Sequence, residues 1–421
     1  MRRYGWLWIF LCGLGTSALS APEPGEVYRE YVWAGPWINA SRWQRVTGPD
    51  ATPERARAHL PNPVNRIKID DLDKARKAEV TIEMLLCHGG TINKRVRVNE
   101  NAWIAIPESP HIPGEAGTGP PATEYQYMRY PCVEIPLEQL RRGENTFEFT
   151  CSSGTSLGSR WPQWIVYGVT FRVYYEESKS HVKGKVFSPR SGERLGDMPV
   201  IECQTTSDAD VDHIDVIGLY EDFDWDGDGL YHEWHYRYFH GKMKSHIGTA
   251  SSSPWKVTWD NTWVPTQEEP MALMARIVDR TGICFMAPVV RGLHLCRKKT
   301  VKMCKPYKVP LRWSTRAGEI DYCKADADGD LDKLIAAQIT MCTWNGDAGD
   351  AIGINGRKVV TNVGKNHDLS YDSFPVPVEY IAPENTLYTS SDTHHHGLEV
   401  QWPGMVLFLQ YDEPEQIPAL K

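Results

Sequence analysis

The strongest constraint on this chain is a two-residue period. Apolar and polar residues alternate in AEVTIEMLL (78–86), KRVRVNENAWIAI (94–106), NTFEFT (145–150), IVYGVTFRVYY (165–175) and HIDVIGLY (213–220). The pattern continues in WKVTWD (255–260), MALMARIVD (271–279), IAAQITM (335–341) and GMVLFLQY (404–411). Side chains of a strand point to alternate faces, so such runs fit strands with one covered face. Turn residues separate them at short intervals, as in stacked sheets rather than helical bundles. Helical periodicity is rare; Asp70 to Lys77 and Pro136 to Arg141 each suit a turn or two. The expected fold class is therefore all-β.

The 421 residues suffice for about three domains. Sixteen Trp and 19 Tyr suit both strands and sugar-binding surfaces. The net charge of −8 comes without a basic stripe, so no nucleic-acid partner is expected. At the N-terminus, Arg2 and Arg3 precede an apolar stretch, Tyr4 to Gly15, and the small-residue site Ala18-Leu19-Ser20. This pattern predicts a signal peptide over residues 1–20, cleaved before Ala21, and bacterial-type export to the periplasm, cell surface or medium. Cys12 lies in the apolar stretch without a lipobox. No later segment approaches eighteen apolar residues, so no membrane insertion is expected after cleavage. Nine further cysteines include no C-x-x-C pair, which disfavours zinc ribbons and thioredoxin-like sites. Few disulfides are expected, with Cys132 and Cys151 as the first candidate pair.

Two regions repeat one another. In the first, Val96-Arg97-Val98-Asn99 is followed by Pro131-Cys132-Val133-Glu134, Gly143-Glu144-Asn145-Thr146 and Trp161-Pro162. In the second, Ile352-Gly353-Ile354-Asn355 is followed by Pro375 to Glu379, Pro383-Glu384-Asn385-Thr386 and Trp402-Pro403. Cys87 and Cys342 also fall at matching places, and the first copy carries an extra loop, SPHIPGEAGTGPPATE. This ordered pattern resembles the galactose-binding-type jelly roll found among carbohydrate-binding modules, over residues 26–178 and 301–414. Between the copies, Gly248-Thr249-Ala250, Pro254-Trp255, Thr258-Trp259-Asp260, Ala275, Asp279 and Gly282 resemble a bacterial immunoglobulin-like module over residues 182–297. The resemblances imply two jelly-roll β-sandwiches flanking an Ig-like β-sandwich.

The middle module carries the insertion DFDWDGDGLYHE (222–233). It matches the calcium-loop pattern D-x-[DN]-x-[DN]-G-x5-E. Asp222, Asp224 and Asp226 take positions 1, 3 and 5, Gly227 the sharp turn, and Glu233 the bidentate twelfth place. Asp228 would offer its backbone carbonyl. A calcium ion takes six to eight oxygens, which such a loop can supply. The flanks read as strands, so the loop is expected to cap a hairpin and hold Ca2+ structurally. Phe223, Trp225, Tyr231 and Trp234 are expected to pack it onto the sandwich. A second run, Asp326, Asp328, Asp330 and Asp332, has its Gly329 one place early and no closing glutamate; it reads as a solvated linker.

In jelly rolls of this type, ligands meet the loops at one end. The resemblance implies a surface including His88 and Trp164 in the first copy, and Trp344, Asn345, His367, His395 and Trp402 in the second. The triplet His394-His395-His396 cannot all face one metal from a strand, and no third zinc ligand is identifiable beside His394 and His396. The chain has no G-x-S-x-G, H-E-x-x-H or glycine-rich phosphate loop. The expected function is non-catalytic binding of an extracellular or cell-surface glycan. The alternatives are a calcium-dependent glycan hydrolase or lyase, with converging carboxylates in a cleft, and a structural surface or matrix protein.

Overall fold

The alternating runs all form strands, and the architecture is all-β, built from several sheets packed as sandwiches. The computed structural model describes residues 22–34, 43–86, 88–109, 111–112, 126–154 and 160–415. The expected signal peptide, Cys12, Cys87 and most of the proline-rich loop lie outside the described residues. No helix among the described residues is long and apolar enough to cross a membrane.

In the first repeat, Asn65–Ile69, Gly143–Ser153, Thr91–Val98 and Ile104–Ala105 form a four-stranded sheet in that order. The second repeat builds the same sheet from Ile320–Asp326, Glu384–Ser391, Gly349–Ile354 and Arg357–Val360. The facing sheets also correspond: Val27–Ala34, Gln163–Tyr175 and Ala75–Leu86 in one, Thr300–Cys304, Val406–Tyr411 and Leu334–Trp344 in the other. One polar device recurs in both. Asn99 and Asn355 each take a left-handed conformation. The Asn99 Nδ2 donates to Asn145 Oδ1 at 2.7 Å, and its Oδ1 accepts from Thr146 N at 2.9 Å. Asn355 does the same with Asn385 and Thr386, both at 2.9 Å. These asparagines are legible in the repeated V-x-V-N and E-N-T motifs because a turn with φ > 0 favours Asn and needs its backbone groups satisfied.

The middle region pairs Gly184–Ser188, Val200–Thr205 and Lys256–Thr258 against a sheet containing Val211–Glu221, Met271–Asp279 and Ile283–Met286. Val27–Ala34 of the first repeat pairs with Ile283–Met286, Tyr28 opposite Cys284, so one sheet runs through both regions. This explains why every residue of Gln163–Tyr175 is buried: a continuous sheet covered on both faces loses its polar side.

Two expectations are corrected. Residues 70–77 form no helix; Ala75 already begins a strand. The other candidate does form a short 3-10 turn, Leu137–Gln139. Cys132 and Cys151 are both free. Cys132 pairs with Thr81 in one sheet, whereas Cys151 points into the core from the other, so the chain between them crosses the sandwich.

Candidate metal centre

Val211–Glu221 and His232–His235 form an antiparallel hairpin with Tyr220 opposite Glu233. The loop is closed by Asp222 N donating to Tyr231 O at 2.9 Å. Inside it, Asp228 N donates to Asp224 Oδ1 (3.1 Å) and Asp226 Oδ1 (3.2 Å), and Gly229 N to Asp224 Oδ2 (2.8 Å). These bonds curl alternate side chains toward one centre. Asp224, Asp226, Asp228 and Glu233 bring carboxylate oxygens within 4.8 Å of one another. The loop caps a hairpin, and its converging carboxylates begin at Asp224, two residues later than the calcium-loop pattern expects.

Asp222 is not in this group. Its Oδ1 accepts from Phe223 N at 2.8 Å and its Oδ2 from the Trp225 indole at 3.2 Å. Asp228 joins through its side chain, while its backbone carbonyl accepts from the Ser109 hydroxyl. The turn glycine after the third carboxylate is Gly229 (φ 93°), not Gly227 (φ 69°). A second D-x-D-x-D-G triple, 224–229, was present in the sequence; the glutamate at position 12 drew the frame toward Asp222.

The setting is unusual for acids. Asp224, Asp226 and Asp228 are 1%, 3% and 2% exposed. Among the described residues, none of the three has an ion-pair partner within 4.0 Å. Glu233 has only His235 at 4.0 Å. Burial pushes His235 down to about 4, which leaves it neutral. Burial, followed by the Asp228 charge, pushes Asp224 up to about 7. Burial and the neighbouring aspartates raise Asp226 and Glu233 well above the carboxylate range, and burial raises Asp228. Burial, helped by the Glu221 charge, takes Asp222 up to about 7. Isolated buried charges cost several kcal/mol each, so this group is stable either protonated or around a cation. Four carboxylates offer up to eight oxygens, the donor type and number that suit a hard divalent ion such as Ca2+.

The loop is wedged among its neighbours. A Cβ on Gly227 would lie 1.9 Å from the Met128 carbonyl oxygen, and one on Gly229 would lie 2.6 Å from the His111 carbonyl carbon. The Trp402 indole donates to Asp224 Oδ2 at 3.1 Å, and Tyr371 Oη to the Trp225 carbonyl at 3.1 Å. Phe223 packs with Val301, Val406 and Phe408, and Trp225 stacks obliquely on Phe223 at 4.9 Å. The loop thus touches both repeats and the middle region at once.

The residues expected to bind ligand divide. Trp164 is fully buried against Phe149, and Trp402 supports the acidic loop, so both leave the surface. His88 Nδ1 donates to the Trp161 carbonyl at 2.6 Å and its Nε2 accepts from Gln163 at 2.9 Å, which makes it a brace. Asn345 is buried with φ 57°. Its Oδ1 accepts from His367 N at 2.8 Å and its Nδ2 donates to the carbonyls of His396 and Gly397. His367 and His395 converge with His396 beside Trp344. Partial desolvation beside its neighbours, with the charges of His395, His367, Arg316 and Arg45, pushes the largely exposed His396 down to about 4.

Sequence reasoning missed an adjoining rim. Trp43 donates from its indole to the His367 carbonyl at 3.4 Å. Arg45 lies 5.6 Å from both the Trp43 and Trp161 rings, Arg55 lies 5.2 Å from Trp161, and His59 stacks on Trp161 at 5.9 Å. No periodic signal joins these residues, because the fold gathers them from three separate segments.

A cavity of about 470 Å³ lies between the first repeat and the middle region, lined by Glu30, His213, Asp215, Tyr238 and Arg276 among others. Its acids are engaged: Arg276 holds Asp215 at 2.7 Å and Glu30 at 2.6 Å, and Arg172 holds Glu30 at 3.0 Å. Burial favours protonation of Asp215, but the bond from His213 and the Arg276 charge hold it well below the usual range.

No family model and no curated protein matches the chain. Solved structures give distant likenesses. One is the glycoside hydrolase BuGH86 in complex with neoagarooctaose (11% identity, 53% of this chain, 33% of that chain, TM-score 0.24). Another is BpGH86A, a β-porphyranase of glycoside hydrolase family 86 from Bacteroides plebeius (11%, 52%, 35%, 0.23). A third is the fibronectin(III)-like modules of Clostridium thermocellum CbhA (16%, 50%, 87%, 0.18). The chain thus spans about a third of the length of the two hydrolases.

Proposed function

We propose that the chain is an exported, calcium-stabilised protein that binds an extracellular or cell-surface glycan without transforming it. Its modules would be a jelly roll (26–178), an Ig-like domain (182–297) and a second jelly roll (301–414), following a cleaved signal peptide. The observation that carries the calcium part is the convergence of the buried Asp224, Asp226 and Asp228 with the half-buried Glu233, which among the described residues have no lysine or arginine within 4.0 Å and which bear on both repeats. Calcium would act as a keystone, fixing the loop and through it the mutual placement of the repeats.

The glycan part rests on the rim of Trp43, Trp161, Arg45, Arg55 and His59, which runs to His367 and His395. Aromatic faces can stack on sugar C–H faces while guanidinium and imidazole groups take hydroxyls or acidic substituents. Contacts from both repeats would act together at high effective concentration. A second reading, a glycan hydrolase or lyase, draws on the cavity with Tyr238, His213 and Arg276. Its carboxylates are tied to guanidinium groups, which favours the binding reading. A glycan array run with calcium and with chelator, followed by a product search, tests both. Calcium-dependent capture without products supports binding; released oligosaccharides would replace it with catalysis.

A further inference from the structure

Consecutive strand residues point to opposite faces, which argues against a shared metal for His394, His395 and His396. The structure removes that objection. The triplet lies in a bend between Glu384–Ser391 and Leu398–Val400, and His396 has φ 50°. The left-handed turn puts His395 and His396 on the same side, with ring centroids 4.0 Å apart. A third imidazole arrives from a different loop: His367, itself at φ 51°, whose ring lies 5.0 Å from His396 and 6.5 Å from His395. Each of the three offers a nitrogen within 4.8 Å of the others.

We propose that His367, His395 and His396 form a site for a borderline divalent transition metal of the zinc class, separate from the acidic centre. Three features support this assignment. First, the donor set is all nitrogen, which suits zinc-class ions and disfavours calcium. Second, the two loops are clamped from beneath. The buried Asn345 accepts from the backbone of His367 and donates to the carbonyls of His396 and Gly397. His367 Nδ1 bonds Asn366 Oδ1, which leaves Nε2 available as the ligand atom, the usual outer support of a ligating histidine. The Trp344 ring stands edge-on to His367 at 5.6 Å and to His396 at 5.8 Å, walling one side. Third, the fold does not require these histidines. The first repeat reads SSGTSLGSRWPQW at the equivalent stretch, 152–164, with no histidine.

Zinc–nitrogen bonds of about 2.0–2.1 Å in a tetrahedron set ligand atoms about 3.4 Å apart, so small side-chain rotations would close the site. Three protein ligands leave a fourth position. His395 and His396 are exposed, so that position opens to solvent and would take water or an oxygen of a bound ligand. This inference stands apart from the calcium centre; it shares His367 and His395 with the proposed glycan rim, but its test reads metal uptake and not glycan capture.

The test uses the untagged full chain in saturating calcium. Equilibrium dialysis against Zn(II) with metal analysis should find one tightly held zinc per chain. The Co(II)-substituted protein should show the intense visible bands of a four-coordinate site. His367→Ala and His395→Ala should each weaken zinc binding on the order of a hundredfold, with unchanged circular dichroism in zinc-free buffer. His394→Ala, outside the cluster, should bind as the parent does. Glu233→Gln should keep the zinc, separating this site from the acidic one. Absence of retained zinc in the folded parent, or undiminished retention by folded His367→Ala, would overturn the proposal.

Discussion

Two acidic runs in this chain carry aspartates at every second residue, and the fold treats them in opposite ways. In the first, Asp224, Asp226 and Asp228 are buried and converge with Glu233. In the second, Asp326, Asp328, Asp330 and Asp332 are all exposed and take part in three separate local contacts. Asp326 accepts from Tyr307 Oη at 2.8 Å, Asp328 pairs with Lys302 at 3.3 Å, and Asp330 caps the 3-10 turn Leu331–Lys333. Asp332 supplies the capped N–H, donating to Asp330 Oδ1 at 3.1 Å. Spacing alone therefore does not build a cation site. What differs is the surroundings: the first loop is pressed between the Met128 carbonyl, the His111 backbone, Trp402 and Tyr371, which exclude water and force the carboxylates together.

The largest break in this contrast should come from Gly227→Ala. Its φ of 69° and the 1.9 Å approach to Met128 O leave no room for a methyl group. A loss of about 3 kcal/mol or more is expected in urea unfolding. Next come the carboxylates. Asp226→Asn and Glu233→Gln should abolish a calcium-dependent gain of roughly 4 kcal/mol at a thousandfold excess over Kd. In chelator, the same substitutions should raise the melting temperature by relieving repulsion. Asp330→Asn in the second run should change neither condition by more than about 0.5 kcal/mol.

The pH dependence should separate the runs further. Asp224 has its folded pKa raised to about 7, against about 3.9 unfolded. A raised carboxylate favours the protonated folded state. In chelator, its stabilising contribution is complete below about pH 4 and is lost as pH rises through about 7. The difference in unfolding free energy between the parent and Asp224→Asn, followed from pH 4 to pH 8, should show this fall. Calcium should reverse the slope, because binding needs the ionised form. Among the changes at the acidic centre, the smallest effect is expected from Trp402→Phe. It deletes one hydrogen bond to Asp224 and should cost about 1–2 kcal/mol, with weaker calcium binding in calorimetry.

Much of the fold could be read in advance because its signals are local. Alternation marked the strands, and V-x-V-N with E-N-T marked two turns that use the same asparagine pairing. The acidic loop was visible too, and four of its five expected residues meet. The remaining misses have non-local causes. The frame slipped by two residues because the Trp225 indole and the Phe223 amide claim Asp222, which no spacing rule encodes. Trp164 resembles a loop-edge aromatic in sequence, yet a strand covered on both faces swallows it. The histidine group was hidden because it needs a left-handed bend at His396 and a partner 28 positions upstream of His395. The cysteine pair failed because nearness in sequence says nothing about which sheet each residue joins.

Calorimetric titration of the metal-stripped chain with calcium at neutral pH, paired with melting curves at each end point, bears most directly on the keystone. One site per chain should appear, with a higher melting temperature that vanishes in Glu233→Gln. A flat titration in the folded parent, with the same melting temperature at saturating calcium as in chelator, would contradict it.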